Sequence, residues 1–125
     1  MDYKFTKKER LLQTKDFQNV YTSGKRYHSK NLILFVIPTS NSLTRIGFSI
    51  SRKKVGKAVK RNRIKRLLRE AYRLNKNSLI GGVDLVVVLK NESVELLNFK
   101  DVERELLSLF KRAGLNDKKK PTFIN

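Results

Sequence analysis

The apolar positions of this 125-residue chain fall into short segments with recognisable periods. In "KDFQNVYTS", Phe17, Val20 and Tyr21 recur at i, i+3 and i+4, which places them on one face of a short helix. Thr14 is positioned to cap its start and Gly24 to close it. "NLILFVIP" is a β-rich apolar run ended by Pro38, and "TSNSLT" is a turn. "RIGFSIS" then alternates, with Ile46, Phe48 and Ile50 on one side and Gly47, Ser49 and Ser51 on the other. The two runs read as neighbouring antiparallel strands, with "KRYHS" as a further short strand leading in.

Helical spacing returns after Ala58, and no breaker occurs before Leu74. Ile64, Leu67, Leu68, Ala71 and Leu74 form one apolar stripe, with Asn62, Lys65, Arg66, Arg69 and Arg73 on the opposite side. "IGG" interrupts the chain, and "VDLVVVL" is so continuously apolar that it predicts a central strand covered on both faces. Asn98 can cap a last helix whose stripe is Phe99, Val102, Leu106, Leu109, Phe110 and Ala113, ended by Gly114. Residues 1–8 and 115–125 read as flexible ends of a single domain spanning 1–125. The order α-β-β-β-α-β-α predicts an α+β fold, a two-layer α-β sandwich.

Charge changes this picture more than composition does. A 39% hydrophobic content serves one core, and the absence of Cys excludes disulfides and thiolate metal sites. "MDYKFTKKER" has no apolar segment of a secretory signal, and no run approaches a membrane span, so a cytoplasmic location is expected. Against this ordinary background the net charge is +18 and the pI about 10.5. Between Arg52 and Arg73 there are 11 Lys and Arg and one acid, so 11 − 1 gives +10 in 22 residues. Such a density implies a polyanionic partner.

Three readings of the basic helix compete. A merely solvated face would carry Glu partners at i,i+4, and here Glu70 stands alone. A membrane-surface helix would expose Trp, Phe or Leu beside its cations, whereas these leucines face the core and the chain has no Trp. Phosphate backbones fit best, with Arg binding bidentately, Lys as a point charge and Asn62 able to read a base edge or a 2′-hydroxyl. Phe17, Tyr21 and Phe35 are candidate stacking rings for single-stranded nucleic acid, although each alone is also an ordinary core residue. The polar strand side of Gly47, Ser49 and Ser51 would let a backbone approach.

Side-chain catalysis finds little support. His28 is the single histidine, and it lies in a polar segment. The 11 acids are scattered, unlike the clustered carboxylates of a metal nuclease, and Asp101 with Glu105 reads as surface pairing. "VGKAVKRN" lacks the P-loop pattern. No catalytic residue and no protein-held metal is expected.

At "KKVGKAVKRNRIKRLLREAYR" the chain resembles the bacterial ribonuclease P protein subunit, whose signature is an Arg-Asn-Arg core, Ile/Val-Lys-Arg and an apolar-basic helix. Arg61 to Arg66 fill that core, and "TKDFQNVYTSGK", "RIGFSIS", "GGVDLVVVLK" and "FKDVERELLSLFKRAGL" resemble the flanking elements in order, from about Lys7 to Leu115. The resemblance implies a fold like domain 2 of ribosomal protein S5, with a left-handed βαβ crossover where right-handed is the default. It implies an endoribonuclease in which the RNA subunit performs the hydrolysis with Mg²⁺ held mainly by RNA and substrate. The protein would be a monomer, one per RNA. It would bind that RNA and the single-stranded 5′ leader of precursor tRNA, promoting removal of the leader.

Carried over by position, Phe17, Tyr21, Phe35 and Ser49 would form the leader cleft, flanked by Arg52, Lys53 and Lys54. Arg61, Asn62, Lys65 and Arg69 would line the basic helix side near the catalytic core of the RNA, and Lys57, Lys60, Arg63, Arg66 and Arg73 complete the helix's candidate RNA-binding set by their charge. "SRKKVG" has one residue more than the family pattern, so the division of roles among Arg52, Lys53 and Lys54 stays open. The alternatives are a structural RNA-binding protein of ribosomal type and a DNA-groove reader. A ribosomal protein would bury the rings and extend a longer basic tail, and a DNA reader would show a dimer seam.

Overall fold

The computed structural model describes residues 4–90 and 98–116. Its elements follow the expected order: α1 (Thr14–Ser23), β1 (Lys25–His28), β2 (Leu32–Pro38), β3 (Arg45–Ser49), α2 (Ala58–Asn75), β4 (Val83–Leu89) and α3 (Phe99–Arg112). The fold is α+β, a four-stranded sheet with three helices.

Strand order corrects one expectation. The sheet runs β1-β2-β4-β3, so β2 and β3 are not neighbours. β4 lies between them, antiparallel to β2 and parallel to β3. The parallel pair is connected through α2, which supplies the long crossover that parallel strands require. β4 is the central strand, and six of its seven residues are buried, as its unbroken apolar run demands.

The two sheet faces bury different groups. α2 and α3 pack on one face over Leu34, Ile46, Leu85, Val87, Ile64, Leu68, Leu106 and Phe110. α1 lies on the other, where Val20, Leu11 and Val86 form a smaller buried cluster with Phe17 and Phe35 against it. The two-layer core of sheet against α2 and α3 therefore carries a partial third cover.

The helix ends show which caps operate. Asn98 Oδ1 accepts the Asp101 amide at 2.9 Å, and Gly114 follows α3 with φ 72°. Thr14 does not cap α1. It is the helix's first residue, and Gln13 is the N-cap, with no side-chain bond.

Both ends are drawn in further than their polarity suggests. Residues 1–8 read as loose, yet Phe5 meets Tyr72 edge-on at 5.5 Å and Lys7–Glu9 form a 3₁₀ turn. Glu9 Oε2 accepts from Lys76 Nζ at 2.8 Å, tying that turn to the end of α2. Leu115 is buried, and its carbonyl accepts the Ile80 amide at 2.7 Å. The ends join the fold because one aromatic and one aliphatic side chain find core sites that no local pattern reveals. Residues 1–3 and 117–125 lie outside the described residues.

Candidate nucleic-acid interface

Strand register assigns the sheet face under α1 row by row, because paired residues project to the same side. Gly47, Val86, Phe35 and Arg26 share one row, and Ser49, Val88, Ile33 and His28 share the next. α1 lies along the first row. Val20 is fully buried there, and the Phe17 ring rests on Gly47, where an added Cβ would fall 2.4 Å from Phe17 Cζ. Glycine at this position is what lets the ring lie against the strand. The second row is incompletely covered: Ser49, Val88 and Ile33 are half-buried and His28 is exposed.

The three candidate aromatics meet. Tyr21 and Phe35 are edge-to-face at 5.0 Å, and Phe17 and Tyr21 are 6.4 Å apart. They are not equivalent. Tyr21 is 37% exposed, whereas Phe17 and Phe35 are half-buried against the small cluster. The three rings thus divide by exposure: Phe17 and Phe35 pack against the small cluster, and Tyr21 presents its ring. At the far end of this face Arg45 binds Asp84 through Nε at 3.0 Å and Nη2 at 2.7 Å. Its Nη1 stands 3.7 Å from Asp16 of α1, which anchors the helix over the sheet.

α2 presents the cations. Its apolar stripe holds as expected for Ile64, Leu68 and Ala71, with Leu67 and Leu74 half-buried, and the helix also buries Tyr72 and Asn75. Lys57, Lys60, Asn62, Arg63, Arg66 and Arg69 are exposed, and Lys65 is half-buried. No acid lies in the first turn and no side chain caps it, so the positive end of the helix dipole coincides with Lys57 and Lys60. Cations there destabilise the helix unless an anion sits nearby.

Two of the α2 cations hold the chain's own structure. Arg61 Nη1 donates to the carbonyls of Val55 and Gly56, both at 2.9 Å, and clamps the loop before α2. Its Nε and Nη2 protons are left to engage another acceptor. Arg73 pairs with Glu70, the one acid of α2, and that pairing lowers the Glu70 pKa. The Arg73 guanidinium is therefore engaged within its own helix. Arg52, Lys53 and Lys54 are exposed in a tight turn just past Ser49, where the Val55 amide donates to the Ser51 carbonyl at 3.0 Å.

The aromatic side and the basic side also meet. A cavity of about 250 Å³ at the β3 edge is lined by Phe17 and Leu11 on one side of the strand and by Lys65 and Arg69 on the other. Sequence periodicity does not place Phe17 beside α2. It also misses Arg10, Arg26, Ile33 and Val88; for the strand residues the missing information was register, which alternation does not contain.

Residues 5–114 match the family model described as Ribonuclease P. The chain belongs to the ribonuclease P protein family. The ribonuclease P protein component of Clostridium botulinum (strain 657 / Type Ba4) is 42% identical over 110 residues, 87% of this chain and 97% of that protein. That of Clostridioides difficile is 38% identical over 117 residues, covering 93% and 99%. Among solved structures, the RNase P protein from Thermotoga maritima superposes with a TM-score of 0.75 at 34% identity, over 83% of this chain and 96% of that one. The α+β fold expected from the family resemblance, a four-stranded sheet with three helices, is thus the fold found.

Proposed function

We propose that the chain is the protein subunit of ribonuclease P in the cytoplasm, where one copy binds the catalytic RNA and grips the 5′ leader of precursor tRNA. The observation that carries this reading is the Phe17–Tyr21–Phe35 cluster on the α1 face, joined at the β3 edge to the basic face of α2. Single strands are held by rings on which bases stack together with cations that follow the backbone. Here Tyr21 offers the exposed ring, the half-buried Ser49, Val88 and Ile33 form a floor beside it, and Arg52, Lys53 and Lys54 stand at its end. Lys57, Lys60, Asn62, Arg63, Lys65, Arg66 and Arg69 engage the RNA subunit, and Arg61 does so while holding its loop.

The chain's part is positional and electrostatic. Three of its carboxylates serve its own fold: Glu9 binds Lys76, Asp84 binds Arg45, and Glu105 binds Asn31. Among the described residues no three His, Cys, Asp or Glu side chains cluster. We assign the hydrolysis to the RNA subunit, with Mg²⁺ held mainly by RNA and substrate. The cations of this chain neutralise phosphates where the two RNAs converge, which lowers the Mg²⁺ concentration needed.

Reconstitution tests the reading. Added to bacterial ribonuclease P RNA at low Mg²⁺, the protein should stimulate precursor-tRNA cleavage, and cleavage no faster than with RNA alone would refute it. Tyr21→Ala should weaken binding of leader-bearing precursor about tenfold, the value of one stacked base, and leave mature tRNA binding unchanged. Equal loss for both substrates would show that the ring is structural.

A further inference from the structure

The cavity at the β3 edge has a construction that phosphate neutralisation alone does not require. β3 is an edge strand, and the N-terminal segment runs beside it, with Arg10 bridged to Ile46 and the Leu11 amide donating to the Ile46 carbonyl at 3.0 Å. The cavity straddles this edge. Three rings line it, Phe5, Phe17 and Phe48, and so do three cations, Arg10, Lys65 and Arg69. No acid lines it. Arg10 is held in place, its guanidinium 5.0 Å above the Phe5 ring and its Nη2 donating to the Phe5 carbonyl at 3.1 Å. Lys65 and Arg69 have no hydrogen-bond or ion-pair partner among the described residues, and both line the cavity.

We propose that this cavity is a binding site for one unpaired nucleotide of RNA, its base against the Phe5 and Phe48 rings and its phosphate on Arg10, Lys65 and Arg69. The inference rests on the RNA-binding reading and sharpens it. Rings alone would suit any apolar ligand, and cations alone any anion. Together, in a cavity of about 250 Å³ that holds a single base, they match a nucleotide. The place matters as much as the chemistry. The cavity joins the basic face of α2 to the aromatic face of α1 across one strand edge, with Phe17 reaching toward both. An RNA strand passing from one face to the other must turn there, and a turning strand unstacks the nucleotide at the bend.

The full chain titrated with AMP, with inorganic phosphate and with adenosine, followed by amide NMR, tests this. AMP should shift the Arg10, Leu11 and Gly47 amides at a concentration at least about tenfold below that needed for phosphate or adenosine. Phe5→Leu removes the π-face and should raise the AMP half-saturation about tenfold while leaving the weak phosphate response intact. Because Phe5 also packs on Tyr72, a second variant guards against misfolding: Leu12→Glu at the cavity rim, where Leu12 is 59% exposed, should weaken AMP and phosphate alike. Equal responses to AMP and phosphate overturn the proposal, as do shifts confined to Ser49, Val88 and Ile33. If these occur while Tyr21→Ala still impairs leader binding, the nucleotide site fails and the function stands. If low-Mg²⁺ stimulation is absent as well, both fail.

Discussion

Gly47 shows how much one residue decides at this interface. A Cβ there would lie 2.4 Å from Phe17 Cζ and 3.2 Å from Leu11 Cβ, so the ring must move if a methyl is added. Gly47→Ala should cost about 2 kcal/mol by overpacking, seen as a lower denaturant midpoint, and should weaken leader binding because the cluster loses its floor. Glu9 shows the converse, a polar residue that stabilises. Burial raises its pKa, but the hydrogen bond from Lys76, with those from Thr6, more than offsets this, and the net value lies below 4.5. A depressed folded-state pKa gives stability that is complete above 4.5 and is lost as pH falls through the lower folded value. The docking of the N-terminal segment should therefore loosen in acid, and Lys76→Ala should remove that part of the pH dependence in acid titrations followed by near-UV circular dichroism. Gly47, Ser49 and the three aromatics were readable as candidates from residue type and spacing. That Phe17 sits on Gly47, and that Glu9 reaches Lys76, depends on contacts between residues 30 and 67 apart in the chain, which no local pattern encodes.

Among the elements, α2 was the most legible and also the most revised. Its leucine stripe and cationic side follow from a period of 3.6, and the structure keeps both. Periodicity treats every cation on the outer side alike, whereas tertiary contacts separate them. Arg61 turns back to the loop carbonyls and Arg73 to Glu70, while Lys65 and Arg69 face the cavity. Arg61→Ala should free the Val55–Gly56 loop, speeding hydrogen exchange of the amides over residues 54–57 and lowering stability by about 1–2 kcal/mol. RNA affinity should fall by more than for Arg66→Ala, since clamp and contact are lost together. The strands teach a related lesson. Alternation in "RIGFSIS" sorted the two sides of β3 correctly, yet its neighbour is β4 and not β2. A strand's own residues state which face is apolar and are silent on which strand takes up its hydrogen bonds.

At the scale of the molecule, the +18 charge acts in opposite directions on folding and on binding. Crowded cations repel one another in the free protein, so its melting temperature should rise between about 0.01 and 0.5 M NaCl as the Debye length shrinks from about 30 to about 4 Å. RNA binding should weaken over the same range through counterion release, with log Kd rising linearly in log salt. Parallel thermal melts and filter-binding titrations check both slopes, and a melting temperature that falls with salt would contradict the picture of unneutralised repulsion. The sequence by itself determined the element order, the centrality of β4, the apolar faces of α2 and α3, and the excess charge that calls for a polyanion, because periodicity and charge are properties of neighbouring residues. Only the tertiary structure decided that β4 enters between β2 and β3, that α1 covers half of one sheet face and leaves the Ser49 row open, and that rings and cations meet at the β3 edge. Those are outcomes of packing between distant segments, settled by which apolar faces and hydrogen-bonding edges can be satisfied together.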